Sequence, residues 1–250
     1  MRKLIVVLIT IITLSVCLVG IAQSDVQDLS VKYVDYSKEN AFEYEKIDAR
    51  NSVSYVPVGA EAKYGLIFYI GTAIPYENYD YLAEPLVRAG YVVVLPKVPM
   101  GLAYMLYEET ERAFSRYPTI RFFVGGHSQG GGAAVRRAQE NLDRVKGVVL
   151  YAPLCYMDDT IKDSNLPVLL LEATNDGVLT SEMKADAKTR LPVIREEHMI
   201  EGCHMSFSTM DDDSVLSMFF DGPASEDVKR EQKEKTVKYT LAFLNSVVNK

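Results

Sequence analysis

Gly126-His127-Ser128-Gln129-Gly130 sets one serine between two glycines, and the surrounding "FFVGGHSQGGGAAVRR" passes from an apolar run into a helix-forming one. A serine at a sharp strand-to-helix turn is forced into a strained backbone conformation, and side chains two positions away on either side would collide with neighbouring backbone. Glycine removes that collision, and the hydroxyl it exposes is a candidate nucleophile. The competing reading is a glycine-rich turn that cradles phosphate on backbone N–H groups. The stretch has neither the G-x-G-x-x-G register nor the G-K-[ST] ending of such turns.

A serine hydroxyl attacks well only when a histidine takes its proton, and that histidine needs a carboxylate to hold its tautomer and favour its charged form. Behind a nucleophile of this strand–turn–helix type the chain order is serine, then acid, then histidine. The chain has three histidines. His127 lies inside the turn, directed away from Ser128, and reads as a packing residue. His198 takes a strand position in "PVIREEHMI" and reads as packing too. His204 follows "MIEGC" in a loop after the last strand and is the candidate base. For the acid, the buried strand of "LPVLLLEATNDGVLT" ends in Asn175-Asp176-Gly177, which sets Asp176 on the rim where α/β sheets place ligands. Asp158 and Asp159 read as solvated charges one strand earlier, and Glu172 falls inside its strand.

The elements that must position these groups follow an alternating β/α pattern from about residue 52, which argues for a mainly parallel sheet. The candidate strands are "SVSYVPV", "YGLIFYI", "YVVVLP", "IRFFVGG", "GVVLYAP", "LPVLLLEA" and "PVIREEHMI". Several are continuously apolar, as strands buried on both faces should be. Helical spacing runs through "ENYDYLAEPLVRAG", "GLAYMLYEETERAFSRYP" and a last helix "EDVKREQKEKTVKYTLAFLNSVV", whose charged first half reads as a solvated face. Residues 23–51 hold two weaker strand candidates, "VKYVDYS" and "AFEYEKI", and form an N-terminal extension or an added edge. No repeat, low-complexity segment or Pro/Gly-rich linker marks a further domain, so residues 52–250 read as one.

Composition bounds the function. The chain has 250 residues, 48% hydrophobic, with a formal charge of −7, and this acidic balance argues against a nucleic-acid partner. Residues 1–22 pair a basic "MRK" with the apolar "LIVVLITIITLSVCLVGIA", an export signal. Gly20 and Ala22 would serve a cleavage site. Leu4–Ala22 equally approaches the ~20 residues that span a bilayer, so the segment is read as a cleaved signal peptide or a retained anchor, and the protein as secreted or membrane-associated. Cys17 is poorly placed for lipidation behind Val16. Only Cys155 and Cys203 remain beyond it, too few for a disulfide framework; they form one bridge or two free thiols. Asp211-Asp212-Asp213 lacks the spacing of a calcium loop, and no metal or other cofactor is expected.

The blocks "GLIFYIGTAIPYENYDYLAEPLVRAGYVVVLPKVPMGLAYM", "GGHSQGG", "LPVLLLEATNDGV" and "GCHMSF" together resemble the α/β-hydrolase superfamily, in particular its compact branch related to dienelactone hydrolases. The resemblance runs from about residue 52 to 247. It implies a mainly parallel sheet with helices on both faces, Ser128 as nucleophile, His204 as base and then acid, and Asp176 as the carboxylate that orients it. The oxyanion hole it implies is the backbone N–H of Gln129 and a second from the loop after "LIFYIG", where Thr72 is chosen over Gly71. Many relatives have His-Gly after this strand; here it is Ile70-Gly71, which leaves a backbone donor in place. Only a short segment, "PLCYMDDTIKDSNLPV", separates two strands where relatives insert a helical cap, so no large cap is expected and the pocket should be open, with Met100, Tyr104 and Met105 as candidate walls. The expectation is an exported serine hydrolase acting on a small carboxylic ester. The alternatives are acyl transfer on the same residues, or a non-catalytic surface protein that keeps the fold for binding.

Overall fold

The long apolar runs become the centre of one sheet. The computed structural model describes residues 41–97, 108–156, 158–210, 221–222 and 224–249. In chain order its strands are β1 (Tyr44–Asp48), β2 (Ser52–Pro57), β3 (Tyr64–Tyr69), β4 (Val92–Pro96), β5 (Arg121–His127), β6 (Val145–Tyr151), β7 (Val168–Ala173) and β8 (Glu196–Ile200). The helices are α1 (Asp80–Arg88), α2 (Glu108–Arg116), α3 (Gln129–Glu140), α4 (Ser181–Thr189) and α5 (Glu226–Val248). Among the described residues none of them is long and apolar enough to cross a membrane. The stretches 1–22 and "VKYVDYS", the wall candidates Met100, Tyr104 and Met105, and Asp211–Asp213 lie outside the described residues.

The sheet order is β1-β2-β4-β3-β5-β6-β7-β8, parallel from β4 to β8, with β2 antiparallel to both β1 and β4. The central strands are buried along their lengths, which is why "VVVL", "FFV" and "VLLL" show no polar alternation. Each large aliphatic side chain so buried contributes roughly 1.5–3 kcal/mol. The edges are polar: β1 carries Glu45, Lys46 and Asp48, and β8 carries Glu196, Glu197 and His198, which protects both edges from pairing with another chain. The β1 edge arises from "AFEYEKI".

Chain direction reverses in the middle. From β3 the chain crosses to β4 on one side; from β5 it crosses to β6 on the other. Parallel crossovers are right-handed, so α1 and α3 lie on opposite faces, and α5 joins α1 on its face. The crevice at such a reversal, outside the carboxyl ends of β3 and β5, is where open α/β sheets bind ligands. Between β6 and β7 stand only residues 152–167, and no large cap interrupts the sheet.

Buried tyrosines tie the layers. Tyr69, Tyr79 and Tyr151 are fully buried, and each hydroxyl has a partner: Thr110 for Tyr69, His127 for Tyr79 and Thr240 of α5 for Tyr151. Two helices are capped by a hydroxyl at their N-termini: Thr180 accepts from Met183 N–H at 3.2 Å and Ser225 from Val228 N–H at 3.3 Å.

Three details differ from the sequence reading. Only Glu196–Ile200 of "PVIREEHMI" is strand; Val193 and Ile194 are 91% and 92% exposed in the loop before it. The charged first half of α5 is not wholly a solvated face, since Lys229 and Gln232 are buried there. Asp159 is buried rather than solvated, accepting from Tyr156 N–H at 3.3 Å and lying 3.5 Å from Arg136, whereas Asp158 is exposed. Cys155 and Cys203 are buried free thiols.

The glycines after the serine set how closely α3 can approach the sheet. A Cβ on Gly132 would collide with the Leu154 carbonyl and one on Gly131 with Pro153. Gly132→Ala should therefore destabilise the fold by about 2 kcal/mol through overpacking, read as a lower urea midpoint at unchanged slope; an unchanged midpoint would contradict this packing.

Candidate active site

Each site residue stands just past the carboxyl end of a strand: Thr72 after β3, Ser128 after β5, Asp176 after β7 and His204 after β8. Ser128 has φ 55° and ψ −125°, the left-handed strain that the flanking glycines imply. A Cβ on Gly126 would strike the Gly130 carbonyl, and one on Gly130 would strike the carbonyl of Tyr69 at the end of β3.

Asp176 and His204 come together. His204 Nδ1 lies 3.1 Å from Asp176 Oδ2, with both side chains almost wholly buried. The other carboxylate oxygen, Oδ1, accepts the N–H groups of Val178 and Leu179, each at 2.9 Å, so the carboxylate cannot rotate away. Lys184 Nζ stands 3.6 Å from Oδ2. Burial acts to raise the Asp176 carboxyl, but the hydrogen bond and charge of His204, the Leu179 N–H and Lys184 outweigh it and bring the group down to about 2.

His127 is buried and does more than pack. Its Nδ1 meets the Tyr79 hydroxyl at 2.8 Å, that hydroxyl accepts the Gly71 N–H at 2.9 Å, and its ring lies 4.7 Å from that of His204. Burial first, then the neighbouring His204, holds its pKa well below the usual histidine value, so His127 stays neutral. His198 stacks on Tyr239 at 3.9 Å and bonds Glu196 at 2.8 Å, and Glu172 pairs with Lys188 at 2.6 Å. Neither has any of these contacts with Asp176 or His204.

Two residues that sequence reasoning missed hold the His204 loop. Asp221 accepts four backbone N–H groups: His204 at 3.0 Å, Gly177 at 3.2 Å and Gly222 at 2.9 Å on Oδ1, and Met205 at 2.6 Å on Oδ2. It thereby ties the Asp176 loop to the His204 loop. Gln232 of α5 clamps Cys203 from both sides, accepting its N–H at 3.0 Å and donating to its carbonyl at 2.9 Å. Gln232 left one trace in the sequence, as the single uncharged residue between Lys229 and Lys235. Asp221 left none, since Asp-Gly reads as an ordinary turn.

Among the described residues no group of three or more His, Cys, Asp or Glu side chains is placed to hold a metal ion. A groove lined by Tyr81, Pro85, Val237 and Leu241 runs between α1 and α5 and includes none of the site residues.

A strained serine, a buried histidine and an ionised aspartate thus stand at the carboxyl end of one sheet. A family model described as "Alpha/beta hydrolase family" matches residues 65–212. The chain belongs to the alpha/beta hydrolase family. It is a hydrolase by that membership. Its fold is similar to a crystal structure of a predicted CIB-like hydrolase from Thermoplasma acidophilum, with a TM-score of 0.57 and 17% identity over 82% of this chain and 99% of that one. At that identity the likeness extends to fold alone. No curated protein matches the chain by sequence.

The Asp176 carboxyl titrates at about 2 rather than at the ordinary 3.8, so its ionised form stabilises the fold fully above pH 3.8 and ceases to as pH falls through 2. At 1.36 kcal/mol per pH unit the contribution is about 2 kcal/mol. Asp176→Asn should flatten the unfolding free energy between about pH 5 and pH 2 relative to the unsubstituted protein. Parallel pH curves for the two proteins would contradict this.

Proposed function

We propose that the protein is an exported serine hydrolase that cleaves small carboxylic esters through Ser128, His204 and Asp176. The observation that carries the reading is the 3.1 Å contact of His204 Nδ1 with a carboxylate held ionised, at the same sheet end as a serine in the strained φ of an exposed nucleophile. With Nδ1 given to Asp176, His204 has Nε2 for the serine proton.

In the proposed reaction Ser128 Oγ attacks the acyl carbon as its proton passes to His204 Nε2. The charge that develops on the carbonyl oxygen is met by the backbone N–H groups of Gln129 and Thr72. His204, its positive charge balanced by Asp176, then protonates the departing alcohol and leaves an acyl-serine. Water follows by the same route: His204 takes its proton, the second tetrahedral adduct collapses, and Ser128 recovers the proton as the acid departs. The Thr72 choice gains support from Tyr79, whose hydroxyl already takes the Gly71 N–H.

Short acyl chains are the proposed substrates, because residues 152–167 are too few to build a cap over a long chain. Export rests on the basic and apolar pattern of residues 1–22. A fluorophosphonate probe should label Ser128, and Ser128→Ala should abolish labelling and lower ester hydrolysis by more than about 1,000-fold while the protein stays folded. A folded, unreactive protein would overturn the reading. A p-nitrophenyl ester series should favour acetate and butyrate over decanoate, and the reverse order would overturn the chain-length argument.

A further inference from the structure

The loop after β3 is under strain of its own. Ile74 N–H donates to the Gly71 carbonyl at 3.2 Å, closing a four-residue turn, and Ala73 at its third position has φ 58°. That position ordinarily requires glycine, so an alanine there stays in place only if the surroundings hold it. They hold it at two points, and both lead to the residues flanking Ser128. Gly71 is fastened through Tyr79 to His127, the residue before the serine. Thr72 is fastened directly to the residue after it, its Oγ1 donating to Gln129 Oε1 at 2.6 Å. The other end of the Gln129 amide donates to the Tyr156 hydroxyl at 2.7 Å.

We infer that the Gln129 side chain is a positioning residue for the oxyanion site: strung between Thr72 and Tyr156, it fixes the backbone N–H of Thr72 in register with its own. The inference rests on the serine-hydrolase reading and deepens it. One residue contributes a donor through its backbone and aims the second donor through its side chain. The loops after β3, β5 and β6 are thereby locked by a single amide whose two ends have different partners. Both ends of the amide are engaged at once, the oxygen by the Thr72 hydroxyl and the nitrogen by the Tyr156 hydroxyl.

Oxyanion donors act only when aimed at the position the charged oxygen will occupy, so a loosened Thr72 should lower kcat and leave substrate binding nearly unchanged. With the full chain and p-nitrophenyl acetate, Thr72→Val should lower kcat roughly 10- to 100-fold with KM within about threefold. Thr72→Ser, which restores the hydroxyl, should recover most of the lost rate. Gln129→Met, which also releases Tyr156, should lower kcat at least as far as Thr72→Val, and the double variant should be no worse than Gln129→Met alone, because the Thr72 contact is then already gone. A Thr72→Val kcat within about twofold of the unsubstituted protein, a failure of Thr72→Ser to recover it, or additive losses in the double variant would each overturn the inference alone. An unsubstituted protein that neither hydrolyses the ester nor takes up the fluorophosphonate would overturn the serine-hydrolase reading and this inference with it.

Discussion

Ser128 carries φ 55° and ψ −125°, and the carboxyl end of the sheet is arranged around keeping it there. Such a conformation costs of order 1–3 kcal/mol and persists only where the surroundings over-determine it. Here they act on both sides of the residue. Its N–H donates to the Tyr151 carbonyl at the end of β6 at 3.0 Å, and its own carbonyl accepts from Gly131 and Leu154, each at 2.9 Å. The end of β6 and the loop after it thus hold Ser128 as firmly as they fill the core. Gly130 brings the end of β3 against the turn, so the spacing between Ser128 and the Gly71–Thr72 loop is set by backbone against backbone rather than by adaptable side chains.

His204 is held by a different means. His204 follows Gly202, whose φ of 141° leaves no room for a side chain, since a Cβ there would occupy the Gln232 amide. Gln232 itself is buried, and so are Thr236 and Thr240 one and two turns along α5, each satisfying its hydroxyl on the carbonyl four residues earlier. A buried polar stripe of this kind is stable because every group finds a partner within the helix or on Cys203 and Tyr151. Asp221 completes the support, so the histidine and aspartate loops form one hydrogen-bonded body.

This division explains what was legible in the sequence. The sheet could be read because its central strands are continuous apolar runs, and Ser128, Asp176 and His204 could be proposed because each is a chemically distinctive residue just past a strand. The supporting residues act through backbone groups, which leave little trace in residue type. Asp221 looks like any turn aspartate, and Gln232 sits in a stretch so charged that its buried face is hidden; a stripe made of Gln, Thr and Thr has no apolar periodicity to find. Asp159 was missed for a similar reason, because "DD" in a polar loop does not reveal that one carboxylate turns inward to Tyr156 N–H and Arg136. The strand β8 was read too long because Val193 and Ile194 are β-branched, yet they precede the strand and face solvent.

Two histidines 4.7 Å apart raise the question of which one takes a proton. If both did, their charges would repel in a region shielded from water, so the pair is stable only if one is kept neutral. Tyr79 also touches His127. Its hydroxyl accepts the Gly71 N–H and shares a hydrogen bond with His127 Nδ1. Burial and the neighbouring His204 keep His127 neutral, outweighing the opposing charge of Asp176. His204 has the opposite surroundings, with an ionised aspartate on Nδ1. The same tyrosine therefore anchors the loop after β3 and holds the ring of the neutral histidine, so one buried hydroxyl ties the two together.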